Sequence, residues 1–234
     1  MHRWSAEELA RLDGQGWLLL QGQAVQALAR CAQGLAAAWG DPALAASGTG
    51  AVHAGAHAAS SGAMTFTRGA VPWHTEGLYL RHPPRALLLW CEAAGDAGGD
   101  TLLLDGAVAA RCLPTALAAH LRATPLAVCT GDFRAVHRLL APGGPQAEVL
   151  RFCDPAIAPG CRLETADGRD AGDIAEAVRA ALADAPVHRH AWQAGDLLVI
   201  DNRRMLHARA AFAGRRLLQR VLIGRGLQQW GRAA

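Results

Sequence analysis

His74-Thr75-Glu76 sets an imidazole and a carboxylate two residues apart. On an extended segment residues i and i+2 face the same side, so both groups would converge on one point. A third ligand from a distant strand would complete one face of an octahedron around a metal. That 2-His-1-carboxylate arrangement suits Fe(II) and leaves three adjacent positions open for substrate and O2. The tripeptide alone is weak. Ten histidines and 20 acidic residues in 234 give roughly one His-x-acid pair by chance, and a surface histidine beside a solvated glutamate reads the same way.

The surroundings add to it. The motif sits in VPWHTEGLYL, bracketed by Pro72 and Gly77, and Gly98-Gly99-Asp100-Thr101 opens a downstream strand. Residues 194–224, AGDLLVIDNRRMLHARAAFAGRRLLQRVLIG, hold His207, Arg216 and Arg220. On a strand, Arg216, Leu218 and Arg220 share one face. Two guanidinium groups on one face of an apolar strand are costly unless they meet anions. A salt-bridged pair at the end of a barrel would satisfy them as well.

Other candidates are weaker. His53 and His57 have the i, i+4 spacing of helical zinc ligands, but their segment is Gly-punctuated and a loop is expected. His188 and His190 share a strand face and read as buried or edge histidines. Cys153 and Cys161 lie in a loop-rich stretch with no clear thiolate activator. Asp201-Asn202 should shape a turn. Arg151 either points toward the site or lies on a surface strand. Trp73, Tyr79 and Trp192 read as core.

Composition narrows the rest. All 23 basic residues are arginine, which excludes Schiff-base or P-loop lysine chemistry. A net charge of +3, with the arginines scattered in sequence, gives no nucleic-acid footprint. No apolar run is long enough for a signal peptide or a membrane span, so a cytoplasmic protein acting on a small molecule is expected, without nucleic acid or membrane as partner. A homo-oligomer stays open. The six cysteines form no CxxC pair and read as free thiols.

The elements that must position these residues follow from patterning. Ser5 and Glu8 form a capping box for a helix to about Asp13, and Gln23–Trp39 is a second helix. Residues 41–70, rich in Ala, Gly and Ser, are expected to be irregular. Strands are expected at Trp17–Leu20, Ala86–Cys91, Thr101–Leu104, Leu126–Thr130, Glu148–Phe152, Val187–Trp192, Leu197–Ile200, Met205–Phe212 and Arg216–Ile223. Helices are expected at Ala107–Leu121, interrupted by Pro114, and at Asp173–Leu182. The expected architecture is mainly β with flanking helices, a barrel or sandwich in one domain spanning 1–234.

The order WHTE, GGDT, GDLLVIDNRRMLHAR, RRLLQR resembles the taurine dioxygenase/TfdA-like family of Fe(II)/2-oxoglutarate oxygenases, in the branch with a His-x-Glu motif. The resemblance is tightest at residues 71–105 and 192–224. It implies a double-stranded β-helix (jelly-roll) core and makes His74, Glu76 and His207 the iron ligands and catalytic centre. It assigns Thr101 and Arg216 to the distal carboxylate of 2-oxoglutarate, and Arg220 to an anionic group of the substrate. The implied reaction is hydroxylation of a small carboxylate-bearing substrate, with O2 consumed and succinate and CO2 released. Desaturation, cyclisation or epoxidation by the same iron chemistry is the alternative. A jelly-roll metal-binding module without cosubstrate is the non-enzymatic one, and the Thr101–Arg216 pairing argues against it.

Overall fold

The computed structural model describes residues 2–41, 67–143 and 147–225, and the backbone alone of 45–53. In chain order the elements are α1 (Ala6–Gln15), β1 (Trp17–Leu20), α2 (Gln26–Ala38), β2 (Ala45–His53), β3 (Val71–His74), β4 (Ala86–Ala94), β5 (Ala97–Gly98) and β6 (Thr101–Asp105). Then come α3 (Gly106–Cys112), α4 (Thr115–Ala123), β7 (Leu126–Thr130), β8 (Phe133–His137), β9 (Leu140–Pro142), β10 (Glu148–Leu150) and a single 3-10 turn (Pro155–Ile157). β11 (Arg162–Thr165), α5 (Gly172–Ala181), β12 (His188–His190), β13 (Leu197–Asp201), β14 (Met205–Arg209), β15 (Phe212–Ala213) and β16 (Arg216–Gly224) complete the fold.

Two antiparallel sheets form the jelly-roll core: five strands in the order β1-β13-β4-β16-β2, and four in the order β12-β6-β14-β3. Central strands buried on both faces should read as continuous apolar runs, and β4 and β13 do. Leu87, Leu89, Leu198 and Ile200 point between the sheets, against Leu103 and Met205 of the smaller sheet. Leu88, Leu197 and Val199 point the other way, onto Leu12 of α1 and Leu28 and Leu35 of α2. A third apolar cluster covers the outer face of the smaller sheet, where Leu104 and Leu206 pack with α3, α4, α5 and the β11-β7-β8 sheet. Each fully buried Leu or Phe contributes roughly 1.5–3 kcal/mol, so the sheets are clamped from both sides.

Local signals explain most boundaries. The capping box is made: Glu8 N donates to Ser5 Oγ at 3.1 Å and Ser5 N donates to Glu8 Oε2 at 2.8 Å. Gly16, at φ 81°, closes α1 in the left-handed region. Pro114 splits the expected helix, starting α4 as its N-cap residue. Two expectations are corrected. Residues 45–53 are a strand despite their Gly and Ala content, because β16 offers β2 a full ladder partner. The strand expected at Met205–Phe212 ends at Arg209 and resumes as the separate β15.

Candidate metal and anion centre

β3 ends on His74, and its neighbour β14 carries His207 directly opposite. The two imidazole rings lie 4.0 Å apart between centroids. Glu76 is not on the strand as expected: the chain turns after His74, and this turn swings the carboxylate toward both rings. Glu76 Oε2 sits 3.9 Å from His74 Nε2 and 3.8 Å from His207 Nε2. One donor atom of each residue falls within 4.8 Å of the others, the spacing three ligands of one ion require.

The donor chemistry fits a divalent metal. His74 Nδ1 lies 2.9 Å from the Pro72 carbonyl, so Nδ1 carries the proton and Nε2 offers its lone pair, the usual outer bond of a metal-ligating histidine. Burial, with His207 beside it, pushes the His74 imidazole down to about 3 and keeps it neutral. Burial raises the Glu76 carboxyl, but the Arg220 guanidinium and then the two histidines outweigh this and hold it well below the usual carboxylate range. One neutral nitrogen of His74 and one carboxylate are thus ready as donors, with His207 Nε2 beside them.

Asn202 fixes the turn, a role its place in a turn motif does not reveal. It is 1% exposed. Its Oδ1 accepts from Glu76 N at 2.8 Å, and its Nδ2 donates to the carbonyls of Glu76 at 2.9 Å and Pro84 at 2.8 Å. Thr75 faces the other way and is pinned to Phe152 by its backbone N at 2.6 Å and its hydroxyl at 3.3 Å.

A cavity of about 290 Å3 opens beside the triad, with Thr101, Arg216 and Arg220 on its wall. The shared face expected for Arg216, Leu218 and Arg220 is found, since all three line it. Arg216 is 4% exposed, and its Nε is buried without a hydrogen-bond partner among the described residues. Burial, then repulsion from Arg209, lowers its guanidinium to about 10, still charged at neutral pH. Thr101 Oγ1 accepts from Trp192 Nε1 at 3.0 Å. The indole has only a donor to give, so the threonine keeps its own proton for another acceptor. A buried cation with an open donor beside a free hydroxyl fits a carboxylate-bearing cosubstrate.

The glycines of GGDT now have a physical reason. Gly99, at φ +79°, packs where a Cβ would lie 2.9 Å from Arg216 Cδ, so any other residue there would displace the arginine. Arg220 meets the ion-pair alternative left open by the sequence, with a partner distant along the chain: its Nη1 donates to Glu76 Oε1 at 3.0 Å, across the cavity.

The remaining candidates fall elsewhere. His53 is described only as backbone in β2, and His57 lies outside the described residues. His188 is exposed and stacks on Trp17, while buried His190 sits 3.3 Å from Asp196. Asn202 does open a turn. Cys153 and Cys161 place their sulfurs 4.0 Å apart on the cavity wall. Arg151 faces a different cavity.

The family described as "Taurine catabolism dioxygenase TauD, TfdA family" matches residues 1–141 and 146–222. The chain belongs to the TauD/TfdA family. A tyrosine isonitrile desaturase of Pseudomonas aeruginosa is 29% identical over 178 residues, 68% of this chain. That match spans 60% of the relative's length. Among solved structures, PvcB of the same species is 25% identical with a TM-score of 0.61, covering 92% of this chain and 77% of its own. An asparagine oxygenase bound to Fe(II), 3-hydroxyasparagine and succinate superposes with a TM-score of 0.71 at 19% identity, over 94% and 79% of the two chains. The jelly roll read from the sequence is thus the fold of this TauD/TfdA member, and no helix among its described residues is long and apolar enough to cross a membrane.

Proposed function

We propose that this TauD/TfdA member is an Fe(II)- and 2-oxoglutarate-dependent oxygenase that hydroxylates an unactivated C–H bond of a small carboxylate-bearing substrate, an amino acid or amino-acid-derived metabolite. The carrying observation is the convergence of His74, Glu76 and His207 beside the buried, unpartnered Nε of Arg216. Iron held by the triad supplies O2 activation coupled to decarboxylation of 2-oxoglutarate to succinate and CO2.

The chain's own groups do the positioning. Arg216 and the Thr101 hydroxyl take the distal carboxylate of 2-oxoglutarate, a charge-assisted contact in a water-poor pocket. Leu87, Leu89 and Leu218 line the cavity and keep water from the reacting centre. Arg220 is the anchor for the substrate's carboxylate: Glu76 engages one nitrogen of a group with five N–H donors, so the fork retains donors for a second anion. The pairing also ties substrate placement to the iron ligand.

Desaturation is the second reading, favoured by the name of the 29% identical relative. Free amino acids and their derivatives, screened for substrate-stimulated succinate release with Fe(II) and O2, test the proposal. A product gaining one oxygen atom supports hydroxylation, and one losing two hydrogens supports desaturation. No 2-oxoglutarate turnover, and no visible charge-transfer band with anaerobic Fe(II) and 2-oxoglutarate, would refute the oxygenase.

A further inference from the structure

Behind the turn that carries Glu76 lies a second cavity, of about 350 Å3, within the size range of small-molecule sites. Thr75 and Asn202 form the wall it shares with the metal centre, and Arg81, Arg85, Arg151, Arg203 and Arg225 line the rest with His82 and His137. These arginines come from four separate stretches of the fold. Among the described residues three carboxylates act on them: Asp41 accepts from Arg225 at 2.6 Å, Asp201 lies 3.8 Å from Arg203, and Asp13 acts on Arg85 from further off. Among the described residues no ion pair reaches Arg81, Arg85 or Arg151. None of the residues outside that set is Asp or Glu, so no side chain elsewhere can supply the missing charge.

Arg85 is held in place without a direct ion pair among the described residues. Its guanidinium carbon lies 3.7 Å above the Trp39 ring, which fixes the plane of the group. Its Nε is buried without a hydrogen-bond partner among the described residues. Burial and then the charge of Arg203 push the guanidinium groups of Arg85 and Arg151 below their ordinary value. Like charges gathered around one recess repel and focus a positive potential into it. A fold tolerates such a recess when an anion fills it.

We propose that this rear cavity binds a phosphate-bearing small molecule. Five guanidinium groups against three carboxylates leave a surplus of two. A carboxylate monoanion would cancel one of these charges, whereas a phosphate ester near neutral pH carries close to two, with three acceptor oxygens. Planar guanidinium forks match phosphate oxygens in pairs. The site is separate from the anion position at Arg216, and it does not depend on the iron assignment.

Phenyl phosphate and benzoate, which share a ring and differ in charge, are the probes. Each is titrated calorimetrically into the Fe(II)-loaded chain saturated with 2-oxoglutarate under nitrogen. The expected result is one saturable phenyl phosphate site per chain, weakened by salt, at least tenfold tighter than benzoate, and not displaced by 2-oxoglutarate. Arg85→Gln/Arg151→Gln should weaken it at least tenfold. Arg81→Gln/Arg203→Gln removes two exposed arginines, so the fold should survive, and should weaken binding at least threefold. No saturable binding, equal binding of benzoate, displacement by 2-oxoglutarate, or an unchanged constant in the second variant would each overturn the proposal.

Discussion

The two sheets of the jelly roll divide the front cavity between them. The four-stranded sheet brings His74 and His207 together on directly paired strands, with Glu76 on the turn that leaves β3. The five-stranded sheet contributes Arg216 and Arg220, both from β16, across the cavity. A metal demands donor atoms placed to within a fraction of an ångström, and two partners on one rung of a ladder, with the turn beside it, supply that. An anion contact demands reach and charge, which a long side chain from the facing sheet provides. The difference teaches that one fold can tune metal affinity and ligand choice on separate walls.

Substitutions can break that division. The largest effect is expected from His207→Ala, which removes a ligand from the smaller sheet: metal content measured by elemental analysis should fall to background and succinate formation should stop. Full activity in that variant would end the iron assignment. Arg216→Ala strikes the other sheet and should spare metal content. Losing a charged contact at a buried site costs about 2–4 kcal/mol, a rise of about 30- to 1000-fold in the 2-oxoglutarate Kd. An unchanged Kd would place the cosubstrate elsewhere.

The next substitution probes the joint between the walls. Asn202→Ala leaves the Glu76 N–H and two carbonyls without their buried partner, at about 1–3 kcal/mol for the worst-placed group. Thermal unfolding should show a lower Tm, and metal titration a weaker affinity, with Arg216 untouched. Wild-type values in both would mean the turn holds itself. Thr101→Val is the smallest and sharpens the comparison, because Thr101 lies on the metal-bearing sheet yet is assigned to the cosubstrate. One hydroxyl hydrogen bond to a carboxylate is worth about 1.5 kcal/mol at the low end for a charged partner, so the 2-oxoglutarate Kd should rise about 10-fold with metal content constant. A loss of metal instead would show the two walls to be coupled.

What was legible in the sequence followed simple periods. Arg216, Leu218 and Arg220 are two residues apart on a strand, and alternation alone put them on one face. β4 and β13 announced themselves as apolar runs because both of their faces are covered. Asn202 was readable as a turn residue but not as the clamp on Glu76, since its partners lie 126 positions away and carry no pattern. β2 was hidden because Gly and Ala residues pair as a strand only when a neighbour's edge is offered. The rear arginines looked scattered, and they are scattered along the chain; only folding gathers them.

β3 is the outermost strand of its sheet and only four residues long. On one side it pairs with β14 through a ladder interrupted by a bulge, and on the other a single bridge joins His74 to Cys153. So short an edge should open readily by local unfolding. An ion shared by His74 and His207 would rivet this edge to its inner neighbour, and metal loss should register first as faster amide hydrogen exchange around residues 71–76. A metal bound there would double as a selvedge, finishing a border of the smaller sheet that the backbone alone leaves loose.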